Sequence, residues 1–279
     1  MRWIHGGGTL LLMLSAAGCG TPAADVEQAT ARLVDVIPQD KWSKLSSRRI
    51  VFAHKSVGFN IVDGVTSLAQ TNPEIGLRVI HSRTPDDFDA PVLGHFENGV
   101  NGDPVGKLNA FREALDGGLG KKVDVAFLKF CWADFTGETD YAELFDQYKH
   151  AMMAMKAAHP GITFVHLTVP LTIRQSGPKA LVKKVLGRPI FGDAENVARN
   201  RFNELVRREY GHKEPLFDLA GWESTRPDGS RKEFQAGGQT YQELVGEYTP
   251  DSGHLNTQGQ RWIAAHLLAF LASLPASGS

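Results

Sequence analysis

The strongest constraint on this chain is a repeated alternation of short, nearly continuous apolar runs with stretches of helical periodicity. Five runs read as strands: 49–54 (RIVFAH), 77–81 (LRVIH), 123–130 (VDVAFLKF), 162–169 (ITFVHLTV) and 216–219 (LFDL). A strand with one wetted face alternates apolar and polar residues, whereas a strand covered on both faces is apolar throughout. These runs therefore predict a parallel sheet buried between two layers of helices. Helices are expected at 60–69, from Pro104 to a Gly117-Gly118 stop, and at 141–158, 195–210 and 262–274. Asp103 before Pro104 is a good N-cap, and Thr257-x-x-Gln260 fits a capping box. Leu144, Tyr148, Met152 and Met155 form one stripe, which reads as core packing. The expectation is one α/β domain over 31–274, a three-layer α/β/α sandwich with a mostly parallel five-stranded sheet. A chain of 279 residues is long enough to bury such a core.

The N-terminus reads as targeting. Arg2 precedes an apolar stretch from Thr9 to Ala17, which is shorter than the roughly 20 residues a bilayer span needs. The Ala16-Ala17-Gly18 approach to Cys19 resembles a bacterial lipobox, with Cys19 as the lipidation site. A plain signal peptide is the other reading. Residues 1–19 are thus expected as a lipoprotein leader and 20–30 as a short tether. This implies export and membrane attachment through a lipid anchor, on the periplasmic face of the outer membrane. Cys131 is the second of two cysteines, so a lipidated Cys19 leaves no internal disulfide.

A formal net charge of −1 gives no reason to expect nucleic acid. The basic cluster Lys179, Lys183, Lys184 and Arg188 reads as a solvated face. His81 and His95 lack the tight spacing of dedicated metal motifs, so neither metal nor cofactor is expected.

In an open parallel sheet, ligands bind at the carboxyl ends of the strands. Ser56 falls there, two residues past the first strand and just before a helix. It is either an N-cap or a nucleophile in reach of backbone N–H groups. Asp251 and His254 stand three apart on a Pro/Gly-rich loop before the last helix. A serine hydroxyl needs a His to take its proton, and that His needs an acid to orient it. The spacing alone is common, and Glu209 with His212 repeats it at a helix end.

Ser56 after the first strand, with Asp251-x-x-His254 before the last helix, resembles the chain order of the SGNH (GDSL-like) hydrolases. The stretch Asn98-Gly99-Val100-Asn101-Gly102-Asp103 looks like that family's second block. The resemblance implies a flavodoxin-like fold and a Ser56–His254–Asp251 triad, with Gly102 donating a backbone N–H to the oxyanion. Two departures stand out. The family's Gly-Asp-Ser block is here His54-Lys55-Ser56, and its third block, Gly-x-Asn-Asp, is Lys129-Phe130-Cys131-Trp132. Cys131 thus takes the place of the oxyanion-hole Asn, with Asn101 or a lysine as substitute donor. Acyl transfer on a small-molecule or glycan ester follows as the expected activity. A glycan-binding lipoprotein with little turnover and a glycan O-acyltransferase are the alternatives.

Overall fold

The computed structural model describes residues 22–275. The expected leader, with Cys19, lies outside the described residues. The main sheet contains β1 (Arg49–His54), β2 (Val79–His81), β3 (Val92–Glu97), β4 (Val125–Leu128), β5 (Thr163–Leu167) and β6 (Leu216–Phe217). All its pairings are parallel, in the order β2-β3-β1-β4-β5-β6. Each expected run supplies a strand, and β3 corrects the number from five to six. Gly94 and His95 break the apolar pattern of β3, and packing accounts for both. A Cβ on Gly94 would lie 2.2 Å from the Phe88 ring, and the His95 ring stacks between those of His54 and His81.

The helices are α1 (Pro22–Asp35), α2 (Gln39–Ser46), α3 (Val57–Thr71), α4 (Pro104–Asp116) and α5 (Tyr141–Ala158). Next come α6 (Pro178–Val185), α7 (Asp193–Tyr210), α8 (Leu219–Glu223) and α9 (Thr257–Ser273). β1 shows why its apolar run is continuous. Ile50 and Phe52 pack in the cluster holding residues of α1, α2, α3 and α9. Val51 and Ala53 point the other way, into the cluster built with α4, α5 and α7. Period-2 alternation thus puts apolar side chains into two separate cores. The α3–α9 contact is close because Gly64 has no side chain, since a Cβ there would stand 2.2 Å from the Gln260 carbonyl oxygen.

Three local expectations change. The tether expected over 20–30 is helical from Pro22: Val26, Thr30 and Val34 are buried at intervals of four, and α1 packs on α9. The predicted capping box at Thr257 gives way to Asn256, whose side chain accepts from the Gly259 N–H. The first helix after β1 begins at Val57, so Ser56 stands at its very start. Asp103 does cap α4, accepting from Gly106 N at 2.8 Å. The long insertion near 171–193 holds α6, and the later one holds an antiparallel hairpin, β7 (Glu233–Ala236) with β8 (Gln239–Gln242).

Candidate active site

β1 delivers the chain to Lys55-Ser56, where it must turn sharply into α3. Ser56 makes that turn at φ 54°, ψ −116°. Glycine dominates this backbone region, because a Cβ is crowded there. Only one other non-glycine among the described residues has positive φ, and it is Ser252 at 87° on the facing loop. Although Ser56 occupies the N-cap position of α3, its hydroxyl makes no cap bond. Its Oγ instead lies 2.7 Å from Nε2 of His254. The first turn of α3 rests on His54: a Cβ on Gly58 would come within 2.3 Å of that ring.

The loop before α9 is built around one carboxylate. Asp251 Oδ1 accepts from the backbone N–H groups of Gly253 (3.1 Å) and His254 (2.9 Å), while Oδ2 lies 2.7 Å from Nδ1 of His254. A proton on Nδ1 donated to Asp251 leaves Nε2 as the acceptor for Ser56 Oγ–H. Partial burial acts to raise the Asp251 carboxyl, but the hydrogen bonds from His254 and Gly253 outweigh it and hold it below the usual carboxylate range. Two outside contacts fix the loop. Ser252 O accepts from Ile173 N at 2.9 Å, and Leu255 N donates to Asn60 Oδ1 at 3.1 Å. Asn60 sits on α3, so the helix that follows Ser56 also holds the residue after His254. No local signal in the sequence singles out Asn60.

The residues expected to bind an oxyanion are arranged differently from the expectation. Gly102 N–H is not free: it donates to Asp134 Oδ1 at 2.8 Å. Cys131 is fully buried, and its N–H donates to Asp134 Oδ2 at 2.7 Å. The Lys107 ammonium bonds both oxygens of Asp134 and also Asn101 Oδ1, the last at 3.0 Å. One buried carboxylate thus ties the loop after β3 to the turn after β4. With its oxygen taken, the Asn101 amide keeps its two N–H donors for an outside acceptor. The Ser56 N–H bonds no acceptor among the described residues.

Trp132 and His254 meet edge to face, with ring centroids 6.0 Å apart. Trp132, Thr172, Phe191 and the Asp251–His254 turn line a cleft of about 130 Å³. Arg199 supports its floor, donating to Trp132 O at 3.0 Å and to Thr172 Oγ1 at 2.9 Å. Behind this wall lie Lys129 and Glu223, both fully buried. Burial lowers the Lys129 ammonium and lifts the Glu223 carboxyl to about 8. His54, His95 and His81 form a separate stack under the start of α3, with His54 Nε2 3.0 Å from His95 Nδ1. The rival pair is not assembled: Glu209 binds Lys149 and Lys213 instead of His212.

No protein-family model and no curated protein matches the chain. Solved structures do. The chain is similar to a candidate platelet activating factor from Streptococcus pneumonia: 14% identity, TM-score 0.47, covering 88% of this chain and 92% of that one. It is also similar to a candidate lipolytic protein of the G-D-S-L family from Desulfitobacterium hafniense DCB-2: 11% identity, TM-score 0.46, covering 80% and 99%. A third is the periplasmic domain of a lipopolysaccharide acetyltransferase from Salmonella ser. Paratyphi A: 12% identity, TM-score 0.42, covering 88% and 96%.

Proposed function

We propose that this chain is an SGNH-like serine hydrolase of carboxylic esters. The observation that supports this best is the unbroken relay from Ser56 Oγ through His254 to Asp251, with both hydrogen bonds at 2.7 Å. Ser56 Oγ attacks the ester carbonyl as His254 Nε2 takes its proton, and the carbonyl electron pair moves onto oxygen. Collapse of that tetrahedral species expels the alkoxide, which receives the proton from His254, and leaves an acyl-serine. Water, deprotonated by His254, attacks the acyl group and releases the acid, restoring the Ser56 hydroxyl. Asp251 holds the imidazole in the tautomer this requires and stabilises the imidazolium formed in each step.

The Ser56 N–H and the Asn101 amide are the donors for the oxyanion in this reading. Gly102 is left out of that role, because its N–H already serves Asp134. An exported chain anchored through a lipid on Cys19, acting on small-molecule or glycan esters, completes the proposal. The test is labelling by a fluorophosphonate together with turnover of p-nitrophenyl acetate. Labelling at Ser56, and loss of both signals in Ser56→Ala and His254→Ala, is the expected result. Wild-type activity in either variant would sink the triad.

One observation favours a second reading. With the Gly102 N–H committed and Cys131 where the resemblance places an Asn, the site offers few oxyanion donors, as in a glycan-binding module. Folded protein that binds an acetylated glycan yet neither labels nor turns over would support that alternative.

A further inference from the structure

The helix α6 is built inside out. At 100° per residue, Leu181, Val182, Val185 and Leu186 fall within an arc of about 140°. An apolar arc of that width normally faces a core. Here the four side chains are 64%, 57%, 79% and 59% exposed, and the side chain turned into the protein is the small Ala180, on the opposite side. Leu186 continues the helical pattern, its N–H donating to Val182 O at 3.0 Å.

The segment is held at its base. Gln175 N donates to Phe191 O at 2.9 Å, Arg174 pairs with Asp193, and Ile173 N is bound to Ser252 O next to His254. Phe191, itself exposed, lines the same cleft as His254. The strap therefore projects an apolar helix beside the mouth of the cleft.

Charge decides what fits against it. The stretch from Pro178 to Arg188 contains Lys179, Lys183, Lys184 and Arg188 and no acidic residue. Lys183 is turned back to Gln175 at 2.7 Å, while Arg188 is exposed. A second copy of the helix would bring like charges together. Residues 1–21 hold no Asp or Glu to complement it. A basic helix with an exposed aliphatic face matches an anionic lipid surface, where the aliphatic side chains enter the acyl boundary and the cations meet headgroups.

We propose that α6 docks this protein on anionic phospholipid, with the cleft mouth held at the lipid surface. The proposal is independent of the catalytic reading. It is tested with the full chain carrying Cys19→Ser and Val185→Cys, labelled at position 185 with an environment-sensitive fluorophore. Cys131 is buried and stays unlabelled. Vesicles of phosphatidylglycerol and phosphatidylethanolamine should shift the emission to the blue, and acyl-chain-brominated lipid should quench it. Neutral phosphatidylcholine vesicles and high salt should weaken the response. Adding Leu181→Asn and Leu186→Asn should weaken binding by about tenfold or more, with the urea midpoint unchanged because both positions are exposed. No shift on anionic vesicles overturns the proposal, as does an equal shift on neutral ones. A concentration-dependent shift without lipid overturns it in favour of a second copy. A blue-shifted label in lipid-free protein that turns red on deletion of residues 1–21 assigns the face to that segment.

Discussion

Both carboxylate oxygens of Asp134 face the Lys107 ammonium, at 2.8 and 2.7 Å, and neither side chain is exposed to solvent. The pair is completed by the N–H groups of Gly102 and Cys131, so the carboxylate is fully bonded as well as neutralised. Such a pair need not add net stability over apolar residues, but breaking it leaves a buried charge unmatched. Lys107→Met is therefore expected to cost about 3–5 kcal/mol, read as a lowered urea midpoint at constant slope. A loss below about 1 kcal/mol would mean that Asp134 finds another partner or water.

Asp251→Asn tests the orienting role of the carboxylate. The amide can present its N–H to Nδ1 and so favour the wrong imidazole tautomer, which should lower kcat by about three to four orders of magnitude. KM should change less than kcat, because in the proposed mechanism Asp251 acts through the imidazole. Steady-state kinetics on p-nitrophenyl acetate separates the two constants.

Acid should weaken the fold through its buried histidines. Burial pushes His54 down to about 2, aided by the neighbouring His95, and pushes His95 to about 4, His166 to about 4 and His266 to about 3. The folded pKa lies below the unfolded value of about 6.5 in each case, so below that pH the unfolded chain binds more protons. Stability is therefore complete above pH about 6.5 and falls as pH drops toward the folded values. Each such group contributes a slope of about 1.4 kcal/mol per pH unit. Glu223 works with the opposite sign, losing stability as pH rises from its unfolded value toward about 8. Urea midpoints between pH 4 and about 6.5 should rise with pH, and His95→Gln should flatten that rise.

Gly64→Ala tests the α3–α9 contact. The added Cβ meets the Gln260 carbonyl oxygen at 2.2 Å and the Ala264 side chain at 2.9 Å. Backbone does not yield cheaply, so a loss of about 1–3 kcal/mol is expected despite alanine's higher helix propensity. Since α3 follows Ser56 and Asn60 on it holds Leu255, the proposed ester turnover should fall along with the melting temperature.

The sheet was legible because a strand buried on both faces leaves a nearly continuous apolar run: β1 and β4 hold unbroken ones, and in β5 only His166 interrupts it. β3 was hidden because Gly94 makes way for Phe88 and His95 stacks on other histidines, and both partners come from elsewhere in the chain. α1 was hidden by its small and polar composition, although Val26, Thr30 and Val34 keep helical spacing. In the site, Asp251 and His254 were legible as a local pair and Ser56 by its place after β1. The commitment of Gly102 to Asp134 was not, because it depends on a backbone N–H and a carboxylate 32 residues apart meeting across two loops.

The turn at Ser56 has a further consequence. At φ 54° the backbone would be more at ease with glycine, and keeping a side chain there costs about 1–3 kcal/mol. Ser56→Gly should therefore melt higher than the parent while losing the proposed nucleophile. Stability and reactivity pull this one position toward different residues. Any selection for heat resistance that ignores turnover would erase the hydroxyl of the proposed relay early, leaving the fold intact without it.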